Sequence, residues 1–208
     1  MSFCLKEPGA VSLILASTSR YRKDLLERLR IPFCCMPPEV DESPLPDESP
    51  AEMAWRLAIE KSRAIHSRFP GHIVIGSDQV ADWQGQALGK PGSAQAACEQ
   101  LAKISGQTVV FHTAVSVCFA DQQWTACTKT ICVFRMLDDE AIRRYVQLDN
   151  PIDTAGSAKA ESLGIALMES MQSEDPTAII GLPMIALTTM LRQARLDPLK
   201  DHTNRKPS

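Results

Sequence analysis

The chain has 208 residues, 44% of them hydrophobic, and a formal net charge of −3. That length supports one substantial core, read as a single domain over residues 10–196 with a polar tail at 197–208. The mildly acidic balance argues against stable nucleic-acid binding, because phosphate backbones favour strongly basic surfaces, but it leaves room for a small anionic substrate in a local basic pocket.

Residues 11–16 are a short apolar run and read as a buried strand. The run ends in Ser17-Thr18-Ser19, which can cap a helix to about Arg30 with Leu25, Leu26 and Leu29 on one face. A second strand is expected at 33–36, followed by a proline- and acid-rich loop over 37–48. Ser49-Pro50-Ala51-Glu52 predicts a helix start: Ser49 as N-cap, Pro50 at the first helical position, Glu52 closing a capping box. That helix is expected to run to about Arg68. Residues 72–76 read as a strand, and 80–83 with 87–88 as a hairpin around Gln84-Gly85-Gln86. A helix is expected at 94–104, then two long strands, 108–119 and 124–134, paired antiparallel through a turn at 121–123. A helix follows at 138–148, a loop at 150–159, a strand at 165–171 and a last helix after Pro183. This order predicts an α/β or α+β fold: a mixed sheet with flanking helices, in two lobes around a central cleft.

No apolar run reaches the roughly 20 residues a bilayer span needs, and Glu7 and Pro8 interrupt the opening segment. No membrane association is therefore expected, and the protein reads as cytoplasmic. Seven cysteines without a Cys-x-x-Cys pair read as small buried hydrophobes, not as a disulfide framework. His66 and His112 read as structural.

Five segments carry residues suited to phosphate chemistry. A strand feeding a helix through Ser17, Thr18 and Ser19 exposes free N–H groups that attract anions. Arg22 shares the inward face with Leu25 and Leu26 and needs an anion or a carboxylate; an ordinary capped helix is the plainer alternative. Lys61 falls at the centre of the apolar face formed by Ala54, Leu57, Ala58 and Ile65. It either snorkels to the edge or enters a cleft holding negative charge. Asp78, read at the carboxyl end of a buried strand, is either a metal ligand and proton acceptor or a turn former. Lys90 in Gly89-Lys90-Pro91 can reach a phosphate, though such a turn is also generic. In the acidic run 38–42, either all the carboxylates are solvated or one shares a divalent cation with Asp78.

Together these segments resemble the Maf family of nucleotide pyrophosphatases. The matching pieces are Leu15-Ala16-Ser17-Thr18-Ser19 with Arg22, Val40-Asp41-Glu42, Glu60-Lys61, Gly76-Ser77-Asp78-Gln79 and Gly89-Lys90-Pro91. Further on come Ser105-Gly106, Thr113-Ala114-Val115, Ala155-Gly156-Ser157 and Gly181-Leu182-Pro183. Each is short, but they stand in the family order across residues 11–195. The pairing of Asp78 with Gln79, and of Lys159 with Glu161, is similar to the branch acting on 7-methyl-GTP. The chain departs from that branch at Tyr21, where Trp is usual, and at Ala158, where an aromatic is usual.

The resemblance implies a hydrolase that cleaves between the α- and β-phosphates and removes modified nucleotides. It implies Asp78 as the catalytic residue that activates a water, Ser17, Arg22, Lys61 and Lys90 as substrate ligands, and Tyr21, Gln79 and Glu161 as specificity residues. Glu42 and Asp78 would hold a divalent cation, magnesium, manganese or cobalt. Tyr21 can stack on the cationic 7-methylguanine ring, and Glu161 can accept its N–H donors. The alternatives are a dTTP, UTP or other modified-nucleotide pyrophosphatase, or a nucleotide-binding regulator of cell division without catalysis. A homodimer is compatible with either.

Overall fold

The computed structural model describes residues 13–200; Val11 and Ser12 of the first expected strand, residues 10–12 of the expected domain and 201–208 of the expected tail lie outside the described residues. In chain order the elements are β1 (Leu13–Leu15), α1 (Arg20–Glu27), β2 (Phe33–Cys35), α2 (Pro50–His66), β3 (Ile73–Trp83), β4 (Gln86–Leu88), α3 (Ala94–Ile104), β5 (Thr108–Phe119), β6 (Gln122–Phe134), α4 (Asp139–Asp149), β7 (Met168–Ser173) and α5 (Met184–Gln193). Short 3-10 turns lie at Ala155–Ser157, Leu163–Leu167 and Ala178–Ile180. The seven strands form one mixed sheet in the order β2-β1-β3-β5-β6-β7, with β4 on β3. β1 runs parallel to β2 and β3, and the remaining pairs are antiparallel. The expected α/β architecture is therefore present.

The alternation of a strand assigns each face its helices. Odd-numbered residues of β3 and β5, such as Ile75, Val115 and Val117, pack with Leu25 and Leu26 of α1 and Leu187 and Leu191 of α5. Further along the same face, Ala81 and Phe111 pack with Leu101 of α3 and Ile142 of α4. Even-numbered residues Val80 and Ala114 point to the opposite face, against Ala54 and Ala58 of α2.

A polar seam separates the two cores on the odd-numbered face. The Ser77 hydroxyl lies 2.7 Å from the Ala114 carbonyl and 3.1 Å from that of Gly181. The Gln79 amide donates to Thr113 Oγ1 and to the carbonyls of Ala178 and Ile179. The two expected lobes are thus two cores on one sheet, tied across the seam by the turn at 177–181.

α2 begins as its sequence implies: Ser49 N–H donates to Glu52 Oε2 at 2.9 Å, and Glu52 N–H donates back to Ser49 Oγ at 3.3 Å. Its close approach to β3 depends on Gly76, where an added Cβ would sit inside contact distance of Ala58 O and Ser62 N.

Several boundaries differ from expectation. α1 ends at Glu27, because Arg30 is left-handed at φ 56° and cannot continue a helix. The turn between β5 and β6 is tighter than expected, with Ala120 at φ 49° and Phe119 paired to Gln122. The last strand starts at Met168, because Leu163–Leu167 coil into a 3-10 turn. Most consequentially, the strands expected at 72–76 and 80–83 are one strand, β3. It is paired to β5 from Val74 to Asp82, so Asp78 lies mid-strand and not at a strand end. Among the described cysteines, Cys35, Cys98, Cys118, Cys127 and Cys132 are free thiols, and Cys35 is exposed instead of buried, against expectation.

Candidate active site

A gap in the sheet edge opens the cleft. On the side away from β5, the strand β3 pairs with β1 at residues 73–75 and with β4 at 81–83. Between these partners residues 76–80 meet no strand on that edge among the described residues. The start of α1, the loop before α2 and the turn at 177–181 surround this gap and enclose a cavity of about 590 Å³. Ser17, Tyr21, Arg22, Glu42, Lys61, Asp78, Gln79, Lys90 and Glu161 all line it. Residues from six separate stretches of sequence therefore converge on one space.

At its centre lies an ionic cluster. Lys61 is only 4% exposed and puts Nζ 2.6 Å from Asp78 Oδ1 and 2.7 Å from Glu42 Oε1. Burying an ammonium costs several kcal/mol unless it is paired, and the two carboxylates supply that pairing. The even position of Asp78 on β3 directs it toward α2, and the helical period directs Lys61 toward β3. Arg22 Nη2 lies 3.9 Å from the same Asp78 oxygen, while its Nε donates to the Gly181 carbonyl at 2.9 Å. Burial lowers the Arg22 guanidinium pKa, and Asp78 and Glu42 oppose that fall. Partial burial works against ionising Glu42, but its hydrogen bond to Lys61 and the charges of Lys61, Lys90 and Arg22 outweigh it. The carboxyl is held below its ordinary value.

The start of α1 faces this cluster. Ser17, 5% exposed, accepts from Ser19 N–H at 3.1 Å, and Ser19 Oγ caps Arg22 N–H at 3.4 Å. Helix geometry leaves first-turn N–H groups without intrahelical partners, which favours an anion there. Lys90 is exposed and lines the same cavity, where its charge acts on Glu42.

Tyr21, Asp153 and Glu161 also line the cavity, and the Tyr21 hydroxyl donates to Asp153. Glu161 is exposed at the rim, yet crowding by the pocket wall raises its carboxyl pKa, with Lys159 opposing. Gln79 lines the cavity, but its amide nitrogen is spent on Thr113, Ala178 and Ile179. It can offer a ligand its carbonyl oxygen and not its N–H groups. Arg20, Asp153 and Thr154 also line the cavity and were not singled out from sequence. Asp153 had a signal, as the acid just before the matched Ala155-Gly156-Ser157 run.

Among the described residues, no cluster of three or more His, Cys, Asp or Glu side chains is poised to hold a metal ion. The donor set nevertheless fits a hard divalent cation, which takes one or two carboxylates and completes its shell with phosphate oxygens and water. Lys61 now bridges the two carboxylates and would have to give way. No helix among the described residues is long and apolar enough to cross a membrane.

The chain matches the model of the Maf-like protein family over residues 12–194, and it belongs to that family. It is 56% identical over 190 residues to a 7-methyl-GTP pyrophosphatase of Bordetella pertussis, covering 91% of this chain and 96% of that protein. It is 53% identical over 182 residues to a 7-methyl-GTP pyrophosphatase of Aromatoleum aromaticum, covering 86% of this chain and 94% of the relative. Among solved structures it is similar to the Staphylococcus aureus Ham1 protein, with a TM-score of 0.44 and 16% identity over 59% of this chain and 71% of that one.

Proposed function

We propose that this protein is a nucleoside triphosphate pyrophosphatase that hydrolyses 7-methyl-GTP to 7-methyl-GMP and pyrophosphate. The observation that carries the reading is the cluster of Arg22, Lys61, Asp78 and Glu42 in one cavity with Lys90 and the start of α1. A triphosphate brings several negative charges, and this wall offers three cations and helix N–H groups to receive them. Asp78 takes a proton from the attacking water. The water oxygen bonds to the α-phosphorus as the bond from that phosphorus to the bridging oxygen breaks, and pyrophosphate leaves. Arg22, Lys61 and Lys90 hold the triphosphate and offset charge growing on the leaving group. Asp78 and Glu42 would hold a divalent cation, which when bound supplies further neutralisation of the triphosphate.

At the base end, Tyr21 presents a ring face to the cationic 7-methylguanine, and Glu161 accepts from its N–H edge. The names of the relatives support the same substrate. This reading places the activity in the single domain of residues 10–196 and the enzyme in the cytoplasm, where nucleotide pools lie. The test is a panel of 7-methyl-GTP, GTP, UTP and dTTP, assayed for pyrophosphate with magnesium, manganese or cobalt. The expected result is metal-dependent release with the highest kcat/KM on 7-methyl-GTP. A higher value on UTP or dTTP would displace the substrate, and tight binding without release would displace the activity.

A further inference from the structure

We infer that Asp153 is a specificity-determining residue that, through Tyr21, tunes the base end of the cavity for a positively charged ring. The inference rests on the substrate proposed above and adds the residue that makes the aromatic wall selective for charge.

Three observations converge on Tyr21. First, its hydroxyl donates to the Asp153 carboxylate, with oxygens at 3.2 and 3.4 Å. A phenol bonded to an anion through its O–H holds more electron density in the ring, which strengthens attraction to a cation over the face. Second, cations already approach that ring: the Arg20 guanidinium carbon is 4.7 Å from its centroid and Lys159 Nζ is 6.0 Å away. The Arg20 guanidinium is planar, charged and solvent-exposed, and its Nη2 also donates to the Tyr21 phenol oxygen at 2.9 Å; it resembles the charged half of a 7-methylated purine, which would compete with it for the ring. Third, Asp153 is itself held. Lys159 Nζ lies 3.3 Å from its Oδ1 and donates to the carbonyls of Asp149 and Asn150 at the end of α4. Partial burial works against the charge on Asp153, but the hydrogen bond and charge of Lys159 prevail and keep its carboxyl below the ordinary value. With half its side chain exposed, it still contributes its charge to the cavity.

A neutral guanine gains little from this arrangement, whereas a methylated one gains in proportion to its charge. The side chain of Asp153 bonds to Tyr21 and Lys159 and not to Asp78, Arg22 or Lys61, so its effect belongs in KM for the charged base and not in kcat.

The experiment compares wild type, Asp153→Asn and Tyr21→Phe on 7-methyl-GTP and on GTP. Asparagine keeps the size of the side chain and removes its charge; phenylalanine keeps the ring and removes the phenol donor. In both variants KM for 7-methyl-GTP is expected to rise about three- to thirtyfold, the range a partly desolvated cation–π contact spans. The rise on GTP should be several-fold smaller, and kcat on 7-methyl-GTP should stay within about twofold. Equal losses on both nucleotides would mean that Asp153 only props up the local fold, and would overturn the inference, as would an unchanged KM. Failure of the wild type to prefer 7-methyl-GTP over GTP would instead sink the substrate reading itself, so the two failures are distinguishable.

Discussion

Asp78→Asn is expected to lower kcat by about 10²–10⁴, the range lost when a positioned proton acceptor is removed, while the protein remains folded. Asparagine has nearly the shape of aspartate and can still accept from Lys61 Nζ, which lies at 2.6 Å. The backbone of Asp78 stays paired with Ala114 of β5. What is lost is the charge that receives the water proton and, with Glu42, the charge that would hold a cation. Circular dichroism of the variant should match the wild type, its melting temperature should fall modestly because Lys61 keeps only one charged partner, and steady-state pyrophosphate release should collapse. A variant with full activity would remove Asp78 from the mechanism.

Lys61→Met is expected to lower kcat/KM by about 10²–10³, comparable to deleting one preorganised charge at a transition state. It should also weaken the fold near neutral pH, because Asp78 loses the ammonium that offsets its burial. The pH dependence has a definite sign. Lys61 helps hold the Glu42 carboxyl below its ordinary value. A carboxyl depressed on folding stabilises the native state above its unfolded pKa, and that contribution disappears as pH falls through the depressed value. The gap in melting temperature between wild type and Lys61→Met should therefore be widest near pH 7 and narrow below the ordinary carboxylate range. A gap that stays constant down to acid pH would show that Lys61 acts on stability through packing alone.

Much of this was legible because it depends on local periodicity. The capping box at Ser49 and the helical period together place Lys61 on the inward face of α2, and alternation along a strand gives Asp78 its direction once the strand is known. The convergence of Glu42, Lys90 and Arg22 was not legible from spacing, since it depends on long-range pairing. It followed from the ordered family motifs. The continuity of β3 through Asp78 was missed because Gly76, Ser77 and Asp78 are poor strand formers on local preference. Pairing along β5 and the close fit of Gly76 under α2 override that preference. The tie from Gln79 to the turn at 177–181 bridges about a hundred residues, and no local pattern announces it. Asp153 was hidden for the same reason: its partners Tyr21 and Lys159 meet it only in the folded chain.

The most direct test of the account is hydrolysis of 7-methyl-GTP in water enriched in oxygen-18, with the products separated and weighed by mass spectrometry. A water activated by Asp78 for attack on the α-phosphorus puts the heavy oxygen in 7-methyl-GMP and leaves the pyrophosphate light. Heavy oxygen in the pyrophosphate, or release of inorganic phosphate with 7-methyl-GDP, would contradict it.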